Sequence, residues 1–149
     1  MGQHIREMDW QAGACAVPLP VRSAPSVARS ARGHMAHLAG AMAEDQVLTK
    51  YLRSGYELVA RRWRGQAGEI DLILRQGDCL VFVEVKRSSS HAAAAERLGR
   101  RQMNRICLAG CEFCGGQPGG QLTEMRFDVA LVDGIGRIDV LENAFGADW

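Results

Sequence analysis

Two short segments hold the residues whose types and spacing could do chemistry. Residues 69–75 (EIDLILR) alternate polar and apolar, and residues 79–86 (CLVFVEVK) are an apolar, β-branched run carrying Glu84 and Lys86. Between them lies Gln76-Gly77-Asp78. A two-residue Gly77-Asp78 loop with glycine first is preferred type II′ hairpin chemistry. It pairs Gln76 with Cys79, and so sets Arg75 against Leu80, Ile73 against Phe82, Asp71 against Glu84 and Glu69 against Lys86. On the other face Ile70, Leu72 and Leu74 meet Val85, Val83 and Val81, an apolar layer that reads as the buried side. A shift of one residue would set the apolar row of one strand against the polar row of the other.

This register brings Asp71 and Glu84 face to face with Cβ atoms about 5 Å apart, where like charges repel unless something positive joins them. Lys86 lies two residues from Glu84 and points to the same side. Two carboxylates and an ammonium group converging over a sheet suit Mg²⁺ or Mn²⁺, since magnesium takes one or two carboxylates and completes its shell with water and phosphate. An ion held there would stabilise the charge developed in phosphodiester displacement and acidify a bound water. The lysine would hold that water or share the phosphate charge. Spacing alone leaves a second reading open, because E-x-K on a strand is also a common solvated ion pair.

The elements that must position these groups are legible around them. Apolar positions between Leu38 and Arg53 recur at helical spacing, and Gly55 stands where a helix would end. Residues 56–64 read as a strand, followed by the Gly65–Gly68 turn and the hairpin. Ser88-Ser89-Ser90 precedes an Ala-rich helix over residues 91–114. After the glycine-rich loop 115–121 come strands at 122–132 and 137–141. The order α-β-β-β-α-β-β predicts an α/β domain, one mixed central sheet flanked by helices.

Length and charge bound the rest. A chain of 149 residues fits one domain. A net charge of +1 excludes a strongly basic tail-type nucleic-acid binder, though not a basic surround offset by an acidic site. Residues 1–34 carry four arginines against two acids, so the remainder is slightly acidic. Three of the four prolines fall in residues 11–33, among Ala, Ser and Arg. We read 1–34 as a flexible N-terminal extension, with Met35 as an alternative start, and 35–149 as the folded domain. No apolar run approaches membrane-spanning length and no export signal is evident, so a cytoplasmic location is expected. Cys107, Cys111 and Cys114 have the spacing of an iron–sulfur loop, but they also fall at i, i+4, i+7 on the second helix. Three core cysteines is the better reading.

The segments Gly68-Glu69-Ile70-Asp71-Leu72-Ile73 and Val81-Phe82-Val83-Glu84-Val85-Lys86 resemble the paired signature of the YraN-like proteins. These are small bacterial proteins similar to archaeal Holliday junction resolvases, within the PD-(D/E)XK nuclease superfamily. The resemblance takes in Glu44, Tyr51-Leu52, Gly55-Tyr56 and Arg62-Trp63-Arg64, then Arg126-Phe127-Asp128-Val129 and Asn143-Ala144-Phe145. It implies a restriction-endonuclease-like fold, with Asp71 and Glu84 as metal ligands, Lys86 as catalytic lysine and Glu44 as a third acid from the first helix. Glu69 would orient Lys86. The resolvase-like relatives suggest a homodimer. Gln102 stands where a lysine is frequent in the family, a departure that we place among phosphate contacts.

Arg97, Arg101 and Arg105 are spaced to form one stripe on the second helix, and Arg61, Arg62, Arg64 and Arg87 lie near the hairpin in sequence. Basic side chains beside a metal site suit the phosphate backbone of a nucleic acid, DNA by the resemblance. Two functions follow: a metal-dependent DNA endonuclease, on branched or otherwise structured substrates, or a nucleic-acid-binding module that keeps the nuclease fold without turnover.

Overall fold

The structure is a computed structural model and describes residues 27–96 and 98–146. Helix α1 (Val27–Arg53) is followed by strands β1 (Glu57–Arg64), β2 (Glu69–Gln76) and β3 (Cys79–Arg87). Helices α2 (His91–Glu96) and α3 (Arg100–Gly115) lead to a short 3-10 turn (Gly120–Leu122), β4 (Met125–Val132) and β5 (Ile138–Phe145). Residues 1–26 of the expected N-terminal extension lie outside the described residues. Helix α1 itself begins at Val27 rather than near Leu38.

The five strands form one mixed sheet in the order β1-β2-β3-β4-β5, antiparallel except for the parallel β3–β4 pair. That parallel pair needs a crossover, which α2 and α3 supply. Two apolar layers hold the helices to the sheet. Ala43, Val47, Leu48 and Tyr51 of α1 pack on Leu72, Leu74, Val81, Val83, Ala130 and Val132. Ile106, Ala109 and Cys114 of α3 pack on the opposite layer, Ile73, Leu80, Phe82, Phe127, Val129 and Leu131. Both faces of the hairpin are therefore core, not one as the alternation suggested. A half-polar strand pattern hid the second layer, since a regular hairpin puts Ile73, Leu80 and Phe82 on one face with Asp71, Arg75 and Glu84.

Local chemistry explains the boundaries. Helix α1 ends in a Schellman motif: Tyr56 N–H donates to Tyr51 O at 3.2 Å and Gly55 N–H to Leu52 O at 3.1 Å, with Gly55 at φ +86°. The hairpin turns on Gly77 at φ +60°, and the ladder runs Gln76↔Cys79, Arg75↔Leu80, Leu74↔Val81, Ile73↔Phe82, Leu72↔Val83, the expected register. The single helix expected over 91–114 is two. Gly99 is extended at φ −78°, ψ 152° and begins α3 afresh, as befits the residue with the least helical preference after proline. Helix α3 then lies close on the sheet at Gly110, where a Cβ would come within 2.8 Å of the Phe127 ring.

Candidate active site

Asp71 sits just past the end of the β2–β3 ladder, with Arg62 of β1, a residue of positive φ, on its other side. The β2–β3 ladder stops at Leu72↔Val83, short of the expected Asp71–Glu84 and Glu69–Lys86 pairs. In their place the Asp71 side chain enters the ladder, its Oδ2 accepting the Val85 N–H at 2.8 Å. On the other side the β1–β2 register is the same at Arg61↔Leu72 and Trp63↔Ile70, its shift lying between Leu58 and Ala60, while the intervening Arg62 has φ +46°. The interruption also reverses the alternation: Ile70 belongs to the α3-side core and Leu72 to the α1-side core. The carboxylate is thus a strut between two separating strands rather than one member of a flat cross-strand pair.

The expected convergence of Asp71, Glu84 and Lys86 is nonetheless present. Glu84 is buried at 6% exposure, and its Oε1 accepts Lys86 Nζ at 3.0 Å and Gln102 Nε2 at 2.6 Å. Burial pushes the Asp71 carboxyl up to about 7, and the Glu84 charge adds to the rise, with a smaller share from Glu44; the Val85 N–H opposes it. A hydrogen bond to Glu84 works in the same direction as the repulsion. A proton shared between two crowded carboxylates has the same origin in any such pair.

The remaining predicted side chains fall out unequally. Glu44, delivered by α1, is buried and faces this cluster, but Arg62 holds it through two bonds, Nε to Oε2 at 3.0 Å and Nη2 to Oε1 at 3.2 Å. Arg62 is therefore bound to an acid of the site and not open to a phosphate. Glu69 does not meet Lys86: its carboxylate takes Arg64 Nε at 2.7 Å, so the partner that orients Lys86 is Glu84. Arg61 pairs with Asp45. Arg87 is exposed at the end of β3, beside the β4–β5 turn.

Arg101 and Arg105 are exposed on α3, which begins at Arg100, whereas Arg97 of the expected stripe lies outside the described residues. Trp63 packs edge-to-face on Phe113 at 5.4 Å, and Cys114 is buried while Cys107 and Cys111 are half-buried. Burial pushes the Cys107 and Cys114 thiols up. Among the described residues no three His, Cys, Asp or Glu side chains gather as a metal cage.

Two groups of polar residues have contacts that the sequence reading did not assign to them. Gln102 touches Glu84 itself and not a phosphate path; its place in the first turn of a helix after E-x-K was the available signal. The second group is structural. Asp128, fully buried, accepts Tyr51 Oη at 2.8 Å, Arg126 Nε at 2.8 Å, Arg126 Nη2 at 2.9 Å and Asn143 N–H at 2.9 Å. Arg126 Nη2 also reaches Tyr56 Oη at 2.9 Å. This network joins Tyr51, Tyr56, Arg126, Asp128 and Asn143, all of which lie in segments of the family resemblance. An aspartate inside the apolar run FDVALV was its signal.

Fold and site define a small α/β protein: a mixed five-stranded sheet between helices, compatible with the restriction-endonuclease-like fold, with an aspartate, a glutamate and a lysine gathered where β2 and β3 separate. A profile described as "Uncharacterised protein family UPF0102" matches residues 43–132. A UPF0102 protein of Ruegeria pomeroyi is 61% identical over 119 residues, covering 80% of this chain and 97% of the relative. One of Cereibacter sphaeroides is 60% identical over 115 residues, covering 77% and 98%. One of Dinoroseobacter shibae is 50% identical over 116 residues, covering 78% and 87%. The chain belongs to the UPF0102 family, the YraN family of the resemblance.

Proposed function

We propose that the protein is a divalent-metal-dependent nuclease that hydrolyses DNA phosphodiester bonds. The observation that carries this reading is the convergence of Asp71, Glu84 and Lys86 at the gap between β2 and β3. Structural ion pairs do not need a second carboxylate. Here burial, with the neighbouring Glu84 charge adding to it, raises the Asp71 carboxyl to about 7, a standing destabilisation that a cation would relieve.

The donor set fits magnesium or manganese. Two carboxylates supply hard oxygens, and the lack of a third ligand among the described residues leaves room for the waters that Mg²⁺ retains. Asp71 and Glu84 would hold the ion, and Glu44 would join only by leaving Arg62. When bound, the ion would supply charge stabilisation and a water of lowered pKa. Lys86, 18% exposed in its side chain, reaches the site rim with its ammonium next to Glu84. Its ammonium would donate to a bound water or balance phosphate charge. Arg101 and Arg105, exposed on the helix that carries Gln102, extend positive charge from the site for backbone contact without base readout.

Cleavage of linear, flapped and four-way DNA with Mg²⁺ or Mn²⁺ tests the reading. Wild type should cut at least one substrate, and Asp71→Asn and Glu84→Gln should cut none while still binding DNA. Wild type that binds DNA and cuts nothing, with variants that bind equally well, would make the protein a binding module.

A further inference from the structure

We propose that Gln102 is a positioning residue that sets Glu84 for cation binding, an inference that rests on the nuclease reading of the same site. Its side-chain amide lies 2.6 Å from Glu84 Oε1. Only the N–H₂ end can serve a carboxylate oxygen, so the amide orientation follows from its partner. Lys86 Nζ addresses that same oxygen at 3.0 Å. The two donors differ in what they do to the carboxylate. The ammonium neutralises Glu84 and is itself occupied by it. The amide fixes the oxygen and leaves the negative charge for a cation. A site that needs Glu84 both oriented and charged requires the second kind of donor.

The amide is delivered from a rigid place. Gln102 is the third residue of α3, and the far end of that helix is tied to the β1–β2 turn. There Glu112 Oε1 accepts Gln66 N–H at 3.0 Å and Oε2 accepts Ala67 N–H at 3.2 Å. Close packing of Gly110 on Phe127 and Phe82 fixes the helix over the sheet. A ligand held by a neighbour on a fixed element is the usual way a protein tunes metal affinity, and removing such a neighbour lowers affinity by about 10–100-fold.

The test is Mn²⁺ titration of the full-length protein by calorimetry, without DNA, for wild type, Gln102→Met and Gln102→Ala. Gln102→Met keeps the bulk and removes the donor, whereas Gln102→Ala removes both. Both should weaken Mn²⁺ binding about ten-fold or more. In cleavage assays both should raise the Mn²⁺ concentration needed for half-maximal rate, with the KM for DNA unchanged. A residue that only fills space would show its effect in Gln102→Ala alone and in Tm rather than in Mn²⁺ affinity. Wild-type affinity in a folded Gln102→Met protein would overturn the assignment and leave the nuclease reading standing. Wild type that binds no Mn²⁺ would overturn both.

Discussion

Replacing Asp71 by asparagine should make the ion-free protein more stable while removing its capacity to bind a cation. Asparagine is nearly isosteric with a protonated aspartate: its Oδ1 can accept the Val85 N–H and its amide can donate to Glu84. Folding raises the Asp71 carboxyl from 3.8 to about 7, so the folded state holds a proton that the unfolded chain gives up. The contribution of Asp71 to stability is therefore greatest below pH 3.8, declines as pH rises, and levels off above about 7. At about 1.4 kcal/mol per pH unit the decline has a ceiling of about 4 kcal/mol. Residual exposure of the carboxyl reduces it, and we take about 2 kcal/mol. For a chain of this size that is a Tm increase of roughly 6–8 °C for Asp71→Asn at pH 8 in EDTA. The increase should shrink steadily toward pH 4. Thermal melts of both proteins across that range, repeated with Mn²⁺, are the assay. Mn²⁺ should raise the wild-type Tm at pH 8 and leave the variant unmoved. A variant less stable than wild type, or a difference equal at pH 8 and pH 4, would refute the crowded-carboxylate account.

Other outcomes follow from the same structure. Tyr51→Phe removes one donor to the buried Asp128 and should lower stability by about 1.5–2 kcal/mol. Asp128→Ala leaves the half-buried Arg126 without its carboxylate and should lower it by about 3–5 kcal/mol, both read by urea denaturation. Gly110→Ala drives a methyl to within 2.8 Å of the Phe127 ring and should lower stability by about 2–3 kcal/mol on the same scale. The double variant Arg101→Glu, Arg105→Glu should weaken DNA binding at least about ten-fold at low salt and flatten the log–log salt slope by about 2, with the Tm little changed.

The hairpin register was legible because two independent codes agreed on it, glycine-first turn chemistry and the apolar pattern. Gly55 was legible for a similar reason, since a positive-φ glycine after an apolar stripe has few other uses. Tertiary features were less so. The β2–β3 ladder was extrapolated through Asp71 because periodicity assumes an unbroken strand, yet the break is made by the aspartate side chain itself taking the Val85 N–H. The split between α2 and α3 was missed because the alanines before Gly99 favour helix, and one glycine inside a helical pattern is ordinarily tolerated. Nothing in the helix pattern alone shows that Glu44 is buried. Its neighbour is Arg62, whose positive φ belongs to an irregularity of β1 that no local pattern encodes.

The near-zero net charge can now be assigned to places. Among the described residues the four buried charged side chains are all acids, Glu44, Glu84, Asp128 and Asp133. Each is met by one cation, Arg62, Lys86, Arg126 and Arg137 respectively. Those eight charges cancel at short range and contribute little to the field outside the protein. Asp45 and Glu69 are similarly engaged, by Arg61 and Arg64. The far field is then set by charges without such partners. On the first turns of α3 these are arginines alone, Arg100, Arg101 and Arg105, with no acid before Glu112. A phosphate backbone approaching the separation of β2 and β3 would meet this positive helix end first. Neutrality in the sum is therefore compatible with a locally attractive surface at this helix end, because exposed acids such as Glu57, Asp78, Glu124, Asp139 and Glu142 lie on other parts of the fold.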